Sequence, residues 1–268
     1  MAPDLPSPPV ALCLGGMDPS GGAGLLRDAA TLQAFGVHAM AVSTAETVQN
    51  GIACLAIEAP GLDPATRVEA LAPHLSGRWG VKLGLWALPL PALDRLAAVL
   101  SERGPSIRIW DPVQAPSVGT PLHDAQDLKD MARTLFARGA WVVSPNRLEA
   151  AALAGTSTDQ DPQRLAAPLL DLGAAAVWLK GGHCAGDRVQ DLWIDAHGIH
   201  PLDEAARIPG ELRGTGCALA SAWLALRLLG SEDLEAARQA AAWLRGRWGS
   251  SITPGNQGRP VLAPVGAR

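Results

Sequence analysis

The chain has 268 residues, of which 48% are hydrophobic and 18% charged, and its net charge is −4. That composition supports a globular core and excludes a disordered chain, and the acidic balance gives no footing for nucleic acid. No apolar run approaches the roughly 18 residues of a membrane span, so no membrane partner is expected.

The opening MAPDLPSPPV is proline-rich, without the basic start and apolar core of a signal peptide. A strand is predicted over 10–14, then a Gly-rich loop, a helix over 23–35 and a strand over 37–43. Strands over 81–85 and 107–111 flank a helix over 91–103. A helix over 125–138 leads to a strand over 141–144, and PNRLEAAALAG (145–155) turns straight into another helix. A helix over 163–172, a strand over 175–180 and a hairpin turning at His197–Gly198 follow. Helices over 218–229 and 234–248 complete the pattern. Short β-branched runs alternating with helices of ten or more residues predict an α/β fold: a mostly parallel central sheet covered by helices on both faces. A single domain spanning 1–268 is expected, with 1–9 and 250–268 as irregular tails. Cys13, Cys54, Cys184 and Cys217 lie far apart with no CxxC pair, which argues against a disulfide framework or zinc site and for a reducing cytoplasm. Nine tryptophans and no tyrosine read as core and edge packing.

In such a sheet, ligands bind outside the carboxyl ends of the strands. The stretches that follow the strands are GGMDPSGGAG (15–24), TAETVQNG (44–51), GLW (84–86), DPVQAPSVG (111–119), PNRLE (145–149) and KGGH (180–183). RGTGC (213–217) joins them as a helix start. The first is not a P-loop, because no Gly-Lys-Ser/Thr follows. Gly22-Ala-Gly24, with Glu46 about 20 residues on, tests as a dinucleotide fingerprint, but Arg27 occupies the third glycine position.

GTGC at a helix start is a candidate anion site, since unpartnered N–H groups and the helix dipole converge there. The competing reading is a glycine turn beside an inert cysteine. A thiol at such a terminus can have its pKa depressed. Asn146 and Glu149, three apart, can share a helix face and hold water around Mg²⁺; equally, they can form a capping box. Asp111 is a second metal candidate, or a plain Asp-Pro turn residue.

Together, LGGMDPSGGAGLLRDAATLQAFGVHAMAVSTAETVQN, VKLGL, DPV, SPNRLEAAALAG, WLKGGH and RGTGCALASA resemble the hydroxymethylpyrimidine/phosphomethylpyrimidine kinases of the ribokinase-like superfamily, from about residue 10 to 248. The resemblance implies a three-layer α/β/α ribokinase-like fold and ATP- and Mg²⁺-dependent phosphorylation of a pyrimidine alcohol, and usually of its monophosphate, in thiamine synthesis. It puts Gly16, Asp28 and Gln49 against the pyrimidine, with Thr47 and Leu85 in the pocket. Lys180 and Asn146 fall on the nucleotide side, and Asp111 and Glu149 at the metal. Gly214, Thr215, Gly216 and Cys217 match the anion hole, with Cys217 as the base. A homodimer is implied as well.

The chain departs from the family where Ser117-Val118-Gly119 replaces a Lys-Ser-Gly stretch and Leu212-Arg213 replaces Thr-His. Thr47, Leu85 and Glu46 stand where valine, methionine and an apolar residue are usual. Arg213 is expected to replace the lost lysine by contacting phosphate. Competing functions are a pyridoxal or pyridoxine kinase on the same scaffold, a pyrimidine-binding protein without turnover, and a dehydrogenase. The kinase reading requires residues 16–28 and 213–217 at the same end of the sheet.

Overall fold

Ala11 and Cys13 alternate with Leu12 and Leu14 along the first strand, and all four are fully buried. A strand apolar on both sides belongs inside a sheet covered on both faces. The computed structural model describes residues 7–115, 122–182, 186–256 and 258–263. Strand β1 (Val10–Met17) pairs in parallel with β2 (His38–Gln49), which folds back antiparallel on β3 (Cys54–Glu58). On the other side of β1, the sheet continues in parallel through β4 (Trp79–Leu83), β5 (Ile107–Trp110), β6 (Val142–Val143) and β7 (Ala176–Leu179). The chain then forms β8 (Arg188–Val189), the antiparallel hairpin β9 (Leu192–Asp195) and β10 (Gly198–Pro201), and β11 (Ala205–Ala206), which pairs with β8. The nine-stranded sheet has the order β10-β9-β7-β6-β5-β4-β1-β2-β3.

One face carries α2 (Pro64–Ala70), α3 (Leu90–Arg103), α4 (Ala125–Phe136), α5 (Arg147–Ala154) and α6 (Pro162–Asp171), packed on Leu12, Leu14, Val81 and Leu83. The other carries α1 (Gly24–Ala34), α7 (Thr215–Leu228) and α8 (Asp233–Trp248), packed on Ala11, Cys13, Ile107 and Ile109. Helix α7 is buried nearly all round, as its Ala/Leu composition without a polar stripe requires. It lies so close to the sheet that a Cβ on Gly80 would stand 2.6 Å from Leu224. Trp79, Trp86, Trp110, Trp141, Trp178 and Trp223 are fully buried, in keeping with a packing role. Among the described residues no helix is long and apolar enough to cross a membrane.

Three elements differ from the sequence expectation. Strand β2 runs on to Gln49 and turns at Asn50-Gly51 into β3, with Asn50 Oδ1 accepting from the N–H groups of Ile52 and Ala53. Asn-Gly between apolar runs is a hairpin signal, so this turn was readable. Helix α2 carries a local signal too, since Asp63 caps it and Pro64 occupies its first turn. The expected irregular tail instead holds β12 (Ser251–Ile252) paired with β13 (Val261–Leu262). Val261 bridges Arg213, and Leu262 O accepts from Arg27 Nη2 at 2.9 Å. Those contacts are tertiary, and the Pro/Gly-rich tail alone does not announce them.

Candidate active site

The carboxyl ends of the parallel strands open into one cavity of about 750 Å³, which residues 16–28 and 213–217 line together. The two stretches touch through glycines. Gly214 has φ +73, and a Cβ there would overlap the Gly22 carbonyl oxygen; within the early stretch itself, Gly24 has φ +59, and a Cβ would overlap the Gly16 carbonyl oxygen. The requirement set by the kinase reading is therefore met.

Gly214 is the N-cap of α7, and no side chain caps it. The first intrahelical bond runs from Ala218 N–H to Gly214 O at 2.9 Å, so the amides of residues 215–217 have no helical acceptor. A Cβ on Gly216 would lie 3.4 Å from Lys180 Nζ and 3.6 Å from Asp111 Oδ2. The amide cradle thus stands directly against a charged pair, Lys180 Nζ to Asp111 Oδ1 at 2.8 Å. Glu149 completes the group. Its N–H donates to Asn146 Oδ1 at 2.9 Å, and its Oε2 accepts from Asn146 N–H at 2.8 Å. The capping box is real, and both residues line the cavity all the same. The Asn146 oxygen is taken by the cap, which leaves its amide N–H groups to face a ligand.

Burial pushes the Glu149 carboxyl up to about 7 against the pull of Lys180. For Lys180, burial is outweighed by Asp111 and Glu149, and its pKa is raised. Two carboxyl groups lie around one ammonium, so with both ionised the group is one positive charge short. Its donors are all oxygen, which suits Mg²⁺, and Asp111 and Glu149 are the residues that would hold it. Among the described residues no group of three His, Cys, Asp or Glu side chains converges. The remaining ligands would be phosphate and water oxygens, as Mg²⁺ commonly takes them.

Deeper in the cavity, Asp28 and Lys82 form an ion pair at 2.7 Å with both side chains 1% exposed. Asp28 Oδ1 also accepts from Ser221 Oγ at 2.9 Å. Asp28, expected against the pyrimidine, does line the cavity, with that oxygen already engaged. Lys82 was not anticipated, although a lysine in the apolar strand run VKLGL is itself a signal, because an unpaired charge is too costly to bury there. Cys217 lies close by, accepting from Gly24 N–H, and burial pushes its thiol up to about 11 despite the opposing Lys82 charge. The helix terminus alone does not make a thiolate here; desolvation wins, and the resting group is a thiol.

On the acceptor side, Gly16 and Leu85 face each other so closely that a Cβ on Gly16 would lie 3.1 Å from Leu85. Gln49 Nε2 donates to Thr47 Oγ at 2.8 Å, and Thr47 donates to Met17 O at 2.6 Å. Arg213, expected at phosphate, lines the cavity with its guanidinium already bonded. Its guanidinium reaches across to this side, bonding Asp18, Ser20 and Gln49, because the contact of residues 213–214 with the early loop directs it there. Glu46 is exposed, opposite Glu58 on β3, and Arg27 is buried against Gly21 and Leu262. Neither arrangement suits a dinucleotide fingerprint. Ser117–Gly119, His183 and Cys184 lie outside the described residues.

The chain is similar to known proteins over most of its length. The chain matches the phosphomethylpyrimidine kinase family over residues 18–262. It is 34% identical to a hydroxymethylpyrimidine/phosphomethylpyrimidine kinase of Synechococcus elongatus, covering 87% of this chain and 88% of that one. The Escherichia coli enzyme of that name is 28% identical, with coverage of 87% and 88%. Among solved structures, phosphomethylpyrimidine kinase from Clostridium difficile superposes with TM-score 0.74 at 26% identity, covering 90% of this chain and 99% of that one. Pyridoxal kinase from Staphylococcus aureus in complex with AMP-PCP and pyridoxal gives TM-score 0.81 at 22% identity, over 96% and 93%; this second likeness shows the fold. With the strand-end cavity, the three-layer sheet and these matches in agreement, the chain belongs to the phosphomethylpyrimidine kinase family.

Proposed function

We propose that this protein transfers the terminal phosphate of ATP to the hydroxymethyl group of 4-amino-5-hydroxymethyl-2-methylpyrimidine, and to the phosphate of the resulting monophosphate, in thiamine biosynthesis. The observation that carries the reading is the placement of an uncapped helix N-terminus, a Lys–carboxylate cluster and an amide-bearing pocket around one cavity. Phosphoryl transfer needs positioning and charge neutralisation more than covalent chemistry. The amides of Thr215, Gly216 and Cys217 receive the transferred group, with Gly214 shaping their approach, and they need no reorganisation to do so. Lys180 and Asn146 serve the nucleotide. Mg²⁺ held at Asp111 and Glu149 supplies the missing positive charge. Gly16, Thr47, Gln49 and Leu85 hold the pyrimidine, with Asp28 beneath the hydroxymethyl arm. Cys217 accepts the hydroxyl proton from its thiolate form, S⁻ becoming S–H as the substrate oxygen takes the phosphoryl group. Because the resting form is the thiol, with its pKa pushed up to about 11, only a small fraction is competent at neutral pH and this contribution strengthens as pH rises.

An ADP-release assay with the pyrimidine alcohol, its monophosphate and pyridoxal tests the proposal. Turnover is expected to favour the pyrimidines, and Cys217→Ala is expected to lower kcat by about 10²- to 10⁴-fold, the usual weight of a positioned base. Preference for pyridoxal would assign the chain the rival activity on this scaffold. Tight pyrimidine binding without ADP release would leave a binding protein. Undiminished activity in Cys217→Ala would remove the base and spare the cradle.

A cytoplasmic homodimer belongs to the same proposal. The support is an apolar hairpin edge, where Val48, Ile52 and Leu55 are 54%, 56% and 74% exposed, since edge strands of this kind favour pairing with another chain. Sedimentation equilibrium is expected to give twice 27.8 kDa, and Leu55→Glu to give the monomer. A wild-type monomer at micromolar concentration would refute this part.

A further inference from the structure

Arg213 has no part in the reaction just proposed, yet it is 3% exposed and stands next to the amide cradle. Its Nη2 donates to Asp18 Oδ2 and to Gln49 Oε1, each at 3.0 Å, and its Nη1 donates to Ser20 Oγ at 3.0 Å. Asp18 is held in turn, accepting from Ser20 N–H at 2.9 Å, Ser20 Oγ at 2.7 Å and Ala23 N–H at 2.9 Å. Two glycines from separate loops form the slot: a Cβ on either Gly22 or Gly51 would lie 2.8 Å from Nη1. The backbone is anchored as well, with Arg213 N–H donating to Pro260 O at 2.9 Å.

A guanidinium can only donate, so the Gln49 oxygen must face it. The opposite end of the amide is determined by Thr47. That hydroxyl gives its proton to Met17 O, so its oxygen accepts from Gln49 Nε2. Turning the amide over would set an NH₂ against the guanidinium and an oxygen against a hydroxyl whose proton is committed. After these bonds Gln49 retains one N–H and one oxygen lone pair, in a set order.

We propose that Arg213 is a positioning residue that locks the Gln49 amide and thereby determines acceptor specificity: the ring must offer a hydrogen-bond acceptor beside a donor in matching order. An aminopyrimidine edge has that order; a ring without the amine does not. The identity of the acceptor rests on the proposed function, whereas the locking of the amide does not.

The test uses Arg213→Lys, Gln49→Ala and the double variant, with Asp18→Asn as a milder change to the anchor of Arg213. Two readouts are taken: steady-state constants with the pyrimidine alcohol, and the side-chain amide NMR signals of Gln49 without substrate. Arg213→Lys is expected to raise KM for the pyrimidine about 10- to 100-fold, the loss of a charge-assisted hydrogen bond, while KM for ATP holds. Asp18→Asn is expected to act in the same direction with a smaller effect. The double variant should be no worse than Gln49→Ala, because residues in one network are non-additive. The Gln49 signals should move in Arg213→Lys. A raised KM for ATP with an unchanged pyrimidine KM would overturn the inference and assign the buried, unpartnered Arg213 Nε–H to phosphate. Additive effects, or unmoved Gln49 signals, would also overturn it. A wild type inactive on pyrimidines would overturn the proposed function and the specificity claim, and moved Gln49 signals would still uphold the lock.

Discussion

Replacing Lys180 with methionine is expected to lower kcat by about a thousandfold, the upper range for removing one preorganised charge stabiliser. It should also make stability in the absence of metal fall further toward alkaline pH. Lys180 is the ammonium within reach of both Asp111 and Glu149. Without it the two buried carboxyl groups lose the cation nearest to them, and breaking a buried pair in this way costs about 3–5 kcal/mol, roughly a 10 °C drop in Tm for a chain of this size.

The pH dependence follows from Glu149. Its carboxyl is held at about 7 rather than its ordinary 4.5, burial being the main cause. A folded pKa above the unfolded one means that the folded state binds the extra proton, so the stability linked to this group declines as pH rises from 4.5 to about 7 and then levels. Losing Lys180 removes the influence that holds Glu149 down, so the decline extends to higher pH. Melts at about pH 5.5 and about pH 8.5 should show the gap between variant and wild type widening at the upper value. Parallel melting profiles together with kcat within about tenfold of wild type would refute the role of Lys180.

Gly214→Ala is expected to be nearly as damaging through the backbone alone. The position sits at φ +73, and an added Cβ would overlap the Gly22 carbonyl oxygen. The left-handed conformation by itself costs an L-residue about 1–2 kcal/mol, and the overlap forces residues 22 and 214 apart. Widening that contact misaims the amides of residues 215–217, so a fall in kcat/KM of about 10²-fold is expected, the scale on which a 1 Å misplacement acts. Gly104→Ala is the control. Gly104 has φ +65 with nothing within 4 Å of the added Cβ, and it caps α3 away from the cavity. It should lose stability by the strain alone and retain activity. Equal kinetics in the two variants would mean that the contact between the loops does not govern the cradle.

Much of the site was legible because its signals are short-range. Strand-end glycines, the Asn146–Glu149 spacing and the GTGC helix start each depend on a few consecutive residues, and the rule that ligands bind at the carboxyl edge gathers them on one side. The reading stopped short where one residue served two roles. Asn146 and Glu149 do form a capping box, and nothing in their spacing separates a cap from a cap that also faces a cavity. Cys217 could be located but not titrated. A helix terminus lowers a thiol and burial raises it, and only the packing around the sulfur shows that burial prevails.

By itself, then, the sequence determined the layered α/β architecture, the alternation that turns Leu12 and Leu14 to one core and Ala11 and Cys13 to the other, and the glycines at the ligand edge. These rest on local periodicity and backbone sterics, which consecutive residues carry. The tertiary structure alone decided the partners of the buried charges. Asp28 meets Lys82 because β4, not β3, lies beside β1. Arg213 meets Asp18, 195 positions away, because β13 and the early glycine loop converge on it. The reason is electrostatic: a buried ion takes whichever opposite charge the strand order brings within about 3 Å, and separation along the chain carries no information about that order.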